Sequence, residues 1–526
     1  MTATLDRPAA AEPDTPSWRD RLQPLVTGSG GWPVTLAVTV LAGLLRFLRV
    51  DQPATTLTDK GVAVGPGQMF DELYYACDAQ SLVRYGVEHA STTTDGHFCQ
   101  LQSGAPAFVV HPSLGKWLIG LGEQLFGFNS FGWRFAAALF GTLTVLLVIR
   151  IGRRMTGSTL LGGLAGLFLA LDGLHFVQSR IATLDVFLCF FVTAAFGALV
   201  IDRDQIRARL AEATDEQLAR GGPLGFRRWR FVAGLMLGLA LSTKWSALWP
   251  MVVLLVPSLF WEAGARRAAG IRAPWRTTLR LTTAPFVGVF LVLPVAVYVG
   301  SWTGWFVNKG GWDRNWAAEH PHTSFPMFPS ALRSLWHYHA EILRFHDTLS
   351  AKHPYQSHPL SWPFLQRPVS YYYPPGIKVG VYGCQTSTGC SREVLAIGTP
   401  ALWWAMLPLA IALIYRWAAK RDWAAASLLL LMAVSILAWI PSDQKDRTMF
   451  LFYALPSVPF LCLGLALIAG WLMGPPGSTR RLWGTGAVGV YTSLVVLNFS
   501  WLYPVLAAVT IPYHDWHQRM WFSSWI

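Results

Sequence analysis

An acidic pair, Asp71 and Glu72, stands in the stretch Phe70-Asp-Glu-Leu-Tyr-Tyr75, a short way beyond the first apolar run of the chain. Carboxylates beside a bilayer are expensive to keep ionised, and one held there can take a proton from a hydroxyl. The matching cations are His111 and Lys116 in His-Pro-Ser-Leu-Gly-Lys116, then Arg134, Arg180, Lys244 and Arg447. Arg180 shares the segment Gln178-Ser-Arg-Ile-Ala-Thr-Leu-Asp185 with a third carboxylate, and Arg447 closes Pro441-Ser-Asp-Gln-Lys-Asp-Arg447. Each has a plainer reading: Arg134 snorkelling to headgroups, Arg180 and Asp185 as a structural ion pair, 441–447 as a solvated turn. Together they suit a donor whose leaving group is a phosphate, because the cations hold the departing charge while a carboxylate activates the nucleophile. A phosphate leaves without a general acid, whereas glycosidases need two carboxylates. One base and direct displacement predict inversion at the sugar carbon.

The elements that must position these residues are membrane helices. Of 526 residues, 53% are hydrophobic and only 13% charged, mean hydropathy is +0.36, and there are 26 tryptophans. Apolar runs near the roughly 20 residues that span a hydrocarbon core fall at 33–50, 132–150, 158–175, 183–201, 231–243, 245–262, 281–300, 399–415, 423–440, 448–473 and 484–505. The break between the fifth and sixth, around Thr243-Lys244-Trp245, is the least defined. The fold class is thus an all-α polytopic membrane protein with about eleven transmembrane helices. Residues 1–31, rich in Pro, Ala, Asp and Thr and without a signal-peptide core, read as a disordered cytoplasmic tail.

Charge orients these spans. The 42 Lys and Arg outnumber the 29 acids, but nothing resembles a nucleic-acid module, and the excess follows the loops. Arg153 and Arg154, Arg203 to Arg230, Arg266 to Arg280, Arg416 to Arg421, and Arg480 and Arg481 all follow even-numbered spans. Basic short loops face the cytoplasm. The N-terminus is therefore placed inside and the C-terminus outside, in the plasma membrane. Two long outer loops, 51–131 and 301–398, carry most of the chemistry. Cys77 and Cys99 lie in the first and Cys384 and Cys390 in the second, so two disulfides, Cys77–Cys99 and Cys384–Cys390, are expected on the oxidising side.

The second outer loop is dense in tryptophan and histidine: Trp302, Trp305, Trp312, Trp316, Trp336 and Trp362 stand among His320, His322, His337, His339, His346, His353 and His358. Most of the aromatics fit an interfacial belt, and some can stack on sugar or cover a peptide. The histidines invite a divalent metal, but His337 and His339 diverge on a helix and no Cys or carboxylate completes a set. A metal is not favoured, and no other cofactor is expected.

The ordered set of acidic pair, His-Pro-x-x-Gly-Lys, Ser-Arg-Ile-x-x-Leu-Asp and Thr243-Lys-Trp-Ser246 resembles the protein O-mannosyltransferases in their actinobacterial form. The resemblance covers nearly all of the chain beyond residue 33. It implies a GT-C membrane domain over 32–526 and transfer of mannose from polyprenyl-phosphate mannose to Ser or Thr hydroxyls of secreted proteins, on the outer face and near the Sec translocon. It implies Asp71 as base, Glu72 as a positioning partner and Arg134 on the donor phosphate, with His111, Lys116 and Arg180 at further family positions; charge placement at the outer span ends adds Asp185, Lys244 and Arg447 around the substrate. His346, His353, Trp362 and Arg367 fall on the acceptor side, where Ser361-Trp-Pro follows a His-containing loop. The sequence has Ser113 where the family usually has a second proline, which predicts a less rigid turn. Two other readings keep part of the pattern: a GT-C transferase with a lipid A or cell-wall acceptor, and a lipid-substrate transporter. The second should show paired repeats and mid-membrane polar groups; here the ionisable residues gather at span ends.

Overall fold

The computed structural model describes residues 19, 30–57, 63–94, 97–222, 225–321, 326–374, 376–475 and 477–526. Except for Arg19, Gly30 and Gly31, the tail expected over 1–31 lies outside the described residues, as does His322. All eleven expected spans are helical. Eight helical segments are long and apolar enough to cross a membrane. They are α4 (Ser130–Thr156), α6 (Asp185–Ala211), α8 (Leu248–Ala268 with its 3-10 opening), α9 (Pro274–Ser301), α11 (Pro400–Lys420), α12 (Trp423–Asp443), α13 (Leu451–Met473) and α14 (Thr479–Leu506). The shorter α1 (Trp32–Phe47), α5 (Thr159–Ala170) and α7 (Arg228–Leu241) coincide with the remaining three apolar runs.

Burial sorts these helices into layers. The apolar windows of α6 and α13 are 83% and 78% buried, which makes them the centre, while α9 is 11% buried and presents its side chains outward. A helix apolar all round belongs in a core or against lipid, and both cases occur here. Close approach of α4 and α5 depends on glycine: a Cβ on Gly166 would stand 2.1 Å from Ile149 Cγ1, and one on Gly162 would stand 2.5 Å from the Ile149 carbonyl. The uncertain boundary falls at Ser242-Thr243-Lys244, where Lys244 is extended between α7 and a 3-10 turn, Trp245–Ala247.

The two long loops form a cap on one end of the bundle. The first contains α2 (Glu72–Tyr85), the hairpin His89–Thr94 with His97–Pro106, and α3 (Leu114–Phe126); the second contains α10 (Ser330–Thr348). Val87, Trp302, Trp305, Leu335, Tyr338 and Ile342 make a shared apolar core, and the Val109 amide donates to Tyr338 Oη at 3.0 Å. The expectation of an all-helical chain needs correction. Among the described residues there are four two-stranded antiparallel sheets, including Val369–Tyr372 with Val394–Ala396 and Cys390–Ser391 with Ile511–Pro512. The pairs His89–Thr94 with His97–Pro106 and Val369–Tyr372 with Val394–Ala396 lie in the cap, where Thr, Val and Tyr favour a pleated surface, while Ile511–Pro512 joins the C-terminal segment to it.

Cys384 and Cys390 are disulfide-bonded. The expected Cys77–Cys99 disulfide is not formed here: both residues are buried thiols that stand beside one another, and Cys99 Sγ also lies 3.6 Å from Gln80 Oε1.

Candidate active site

Asp71 and Glu72 separate at the first turn of α2. Phe70 adopts a left-handed backbone, φ 50°, which lets the chain enter the helix with consecutive carboxylates facing different surroundings. Glu72 is fully buried. Its carboxylate accepts from Arg134 Nε and Nη2, both at 2.8 Å, from the Met69 amide at 3.0 Å and from the Ala182 amide at 2.8 Å. Arg134 uses its remaining N–H groups on three carbonyls, Val50 (3.1 Å), Pro53 (3.3 Å) and Gly67 (2.7 Å). All five of its donors are thereby engaged. The expected contact between Arg134 and a donor phosphate is not available in this geometry; the bidentate pair instead joins α2, α4 and the approach to α6.

Asp71 is different. It occupies the N-cap position of α2, and its backbone carbonyl accepts from the Tyr74 and Tyr75 amides at 3.0 Å, but its side chain makes no capping bond. Among the described residues its carboxylate has no hydrogen-bond partner, and it remains half-buried. Burial pushes its carboxyl up to about 6 against the downward pull of Lys244, with nearby Asp185 adding to the rise. Tyr75, Tyr371 and Tyr453 feel the same two carboxylates and so surround the same space. The Phe70 ring completes one wall, 4.9 Å from Tyr371, 5.7 Å from Phe450 and 6.1 Å from His353.

Two cations face this space. Lys244 Nζ bonds both oxygens of Asp185, at 2.9 and 3.0 Å, and lies 4.9 Å from the centroid of the Tyr453 ring. Arg447 donates from Nη1 to the His346 carbonyl (2.5 Å), approaches His346 Nδ1 with Nη2 (3.3 Å), and leaves its buried Nε without a partner among the described residues. His346 Nε2 donates to the Val110 carbonyl at 3.0 Å, which makes Nδ1 the acceptor for Arg447. The His346 ring stacks on His111 at 5.3 Å. Burial, reinforced by Arg447, pushes His346 down to about 4; burial likewise holds His111 well below the usual imidazole range, with Lys244 contributing. Both rings are neutral near pH 7. Among the described residues no group of three His, Cys, Asp or Glu is placed to hold a metal ion.

The other expected residues do structural work. Lys116 is sealed against Glu88, with Asp78 at 3.7 Å, and leaves no open cationic face. Arg180 donates to four carbonyls at the end of α1, those of Leu45, Arg46, Leu48 and Arg49, at 2.6 to 3.2 Å. Such bonds satisfy the orphan carbonyls of a helix end. Both are thus engaged by protein groups, Lys116 by carboxylates and Arg180 by backbone carbonyls. Ser113 is tied by a 2.8 Å bond from Oγ to the Ser301 carbonyl, which braces the turn that a second proline would have stiffened. Gly115 is required nearby, since a Cβ there would meet Leu184 Cδ2 at 2.7 Å. Trp362 is buried with Nε1 on Ser357 Oγ (2.9 Å), and Arg367 holds the carbonyls of Pro354, Ser524 and Ile526. Among the described residues Arg367 makes no contact with those around Asp71, whereas Trp362 meets the Tyr453 ring edge-on at 6.5 Å and His353 borders the same space through Phe70 and Phe450. The sequence alone does not single out Tyr75, Tyr371 or Tyr453 as site residues; Tyr75 closes the stretch that holds the acidic pair, and nothing local marks Tyr371 or Tyr453.

The chain is similar to known proteins along almost its whole length. A family model described as "Dolichyl-phosphate-mannose-protein mannosyltransferase" matches residues 100–303, and one described as "C-terminal four TMM region of protein-O-mannosyltransferase" matches 331–525. The chain is 40% identical over 508 residues to a polyprenol-phosphate-mannose–protein mannosyltransferase of Mycolicibacterium smegmatis, covering 94% of this chain and 93% of that one. It is 39% identical over 507 residues to the Mycobacterium tuberculosis protein of the same name, covering 94% and 92%. The Saccharomyces cerevisiae protein O-mannosyltransferase Pmt1–Pmt2 complex, solved bound to the sugar donor, superposes with TM-score 0.70 at 14% identity, covering 95% of this chain and 93% of that one, which shows a shared GT-C fold. With such identity sustained along almost its whole length, the chain belongs to the protein O-mannosyltransferase family, among the polyprenol-phosphate-mannose–protein mannosyltransferases.

Proposed function

We propose that Asp71 is the base of this mannosyltransferase, and that Lys244 and Arg447, rather than Arg134, face the donor phosphate. The enzyme moves mannose from a polyprenyl-phosphate carrier to protein. In the step proposed here, the Asp71 carboxylate takes the proton of a Ser or Thr hydroxyl as its oxygen attacks the mannose anomeric carbon. The bond from that carbon to the phosphate oxygen breaks, and the polyprenyl phosphate leaves with its negative charge. One displacement inverts the configuration. The observation that carries this assignment is the contrast within the acidic pair: Glu72 has every oxygen committed to Arg134 and two amides, while Asp71 has a raised, half-buried carboxylate without a hydrogen-bond partner among the described residues. Charge placement supports eleven crossings with residues 51–131 and 301–398 outside the cytoplasm, where unfolded chains leaving the Sec channel supply acceptor hydroxyls.

The test uses purified protein, labelled polyprenyl-phosphate mannose and a Ser/Thr-rich peptide. Wild type should yield mannosyl-peptide, and Asp71→Asn should lose about 10²- to 10⁴-fold in turnover, the usual share of a general base, while still binding donor. Near-normal turnover in that variant would remove Asp71 from the role.

A further inference from the structure

The opposite end of the bundle holds a second set of charges, which the transfer reaction does not use. Asp202 lies seventeen residues along α6 from Asp185, so at 1.5 Å per residue it is about 25 Å from the Asp71 space. There α6, α7, α8 and α9 enclose a cavity of about 140 Å³ lined by Arg209, Arg227, Arg230, Glu262 and Arg266 on one side. Phe226, Leu281, Pro285 and Val289 line the other, and the last three belong to the helix that faces outward along its length.

The charges are organised but not balanced. Glu262 accepts from Arg227, Arg230, Arg266 (2.7 Å) and Thr282 (2.6 Å), and Arg227 also grips Asp202 with bonds of 2.6 and 2.9 Å. Against these two carboxylates stand four guanidinium groups, leaving a net charge of plus two. Arg230, only 2% exposed, makes a hydrogen bond through Nη2 alone; its buried Nε has no hydrogen-bond partner among the described residues, the nearest anionic oxygen, Asp202 Oδ2, standing 3.5 Å away without bonding geometry. A buried guanidinium with free donors in an undercompensated pocket is stabilised by an anion, and phosphate oxygens suit its planar geometry.

We propose that this cavity binds the headgroup of an anionic phospholipid, whose acyl chains run down the outward face of α9. A phosphodiester between Arg209 and Arg230 supplies the missing negative charge, and the apolar wall of Leu281, Pro285 and Val289 continues from it into the hydrocarbon, as in basic pockets between membrane helices generally. The apolar wall is what selects a lipid over a free anion. This site is independent of the assignment of Asp71, and its test does not depend on turnover.

Purified full-length protein in neutral detergent is titrated with dioleoyl-phosphatidylglycerol, dioleoyl-phosphatidylcholine or inorganic phosphate, and followed by native mass spectrometry and thermal unfolding. Phosphatidylglycerol should be retained at least about tenfold more strongly than phosphatidylcholine and should raise Tm, with the preference fading at high salt. Arg209→Gln, which leaves the buried pairs intact, should weaken retention about fivefold, the usual effect of one basic residue near an anionic lipid. Arg230→Gln should weaken it further, and if that variant does not fold, Arg209→Gln still decides. Equal retention of phosphatidylcholine, or unchanged retention in Arg209→Gln, overturns the proposal. Stabilisation by inorganic phosphate equal to that by phosphatidylglycerol overturns the lipid assignment.

Discussion

At the scale of single residues, environment divides two neighbouring acids. A carboxylate acts as a base only when ionised, so the role proposed for Asp71 sets a pH dependence. Burial holds its carboxyl at about 6, so kcat/KM for peptide mannosylation should be full above that value and fall as pH drops through about 6. An acid limb near the ordinary carboxylate range, about 4, would show that Asp71 does not govern the rate. Lys244 pulls this carboxyl down, so Lys244→Met should move the limb to higher pH. Arg447 has donors to spare and Arg134 has none. Removing a hydrogen bond to a charged group costs about 1.5–3 kcal/mol, so Arg447→Ala should lower kcat/KM for the donor by about 10- to 100-fold with little change in unfolding temperature. Unaltered donor kinetics would take Arg447 out of the phosphate site.

At the scale of elements, the buried Glu72–Arg134 pair is the joint on which Asp71 depends. It fixes the first turn of α2 against α4 and against the amide of Ala182 just before α6. Breaking one partner of a buried pair costs about 3–5 kcal/mol because the other charge is left uncompensated. Arg134→Met and Glu72→Gln should therefore each lower the unfolding temperature sharply in detergent, and the double variant Glu72→Met with Arg134→Met should recover part of the loss. A stable Arg134→Met enzyme with only weakened donor binding would restore the phosphate role that the family resemblance implied. Arg180 and Lys116 belong to the same scale: one closes the end of α1, the other a buried cluster with Asp78 and Glu88. Their loss should also appear first as instability.

At the scale of the whole molecule, the cap built from 51–131 and 301–398 covers one end of the bundle, and the arginine-lined cavity lies at the other. Val307 and Phe226 are exposed on these two ends, at 77% and 73%, whereas the free cysteines are buried. In intact cells a membrane-impermeant maleimide should label V307C and leave F226C untouched until the membrane is opened. The reverse pattern would invert the proposed topology.

How much of this is legible in the sequence follows from range. Hydropathy and loop charge act over contiguous stretches, so the eleven helical segments and the two long loops can be read without a structure. The order of short motifs places the chain in its family. The small sheets were missed because pairing between Val369–Tyr372 and Val394–Ala396 joins strands separated by more than twenty residues of loop. What the sequence determined by itself is a polytopic mannosyltransferase with an acidic pair and a surplus of cations. Only the tertiary structure decided which acid is free and which cations are open, because a charge's role depends on the groups within a few ångströms of it. For Arg134 those groups come from residues 50, 53, 67 and 72, and for Asp71 from 185 and 244; chain order does not reveal that the first set occupies every donor while the second leaves a carboxylate without a hydrogen-bond partner among the described residues.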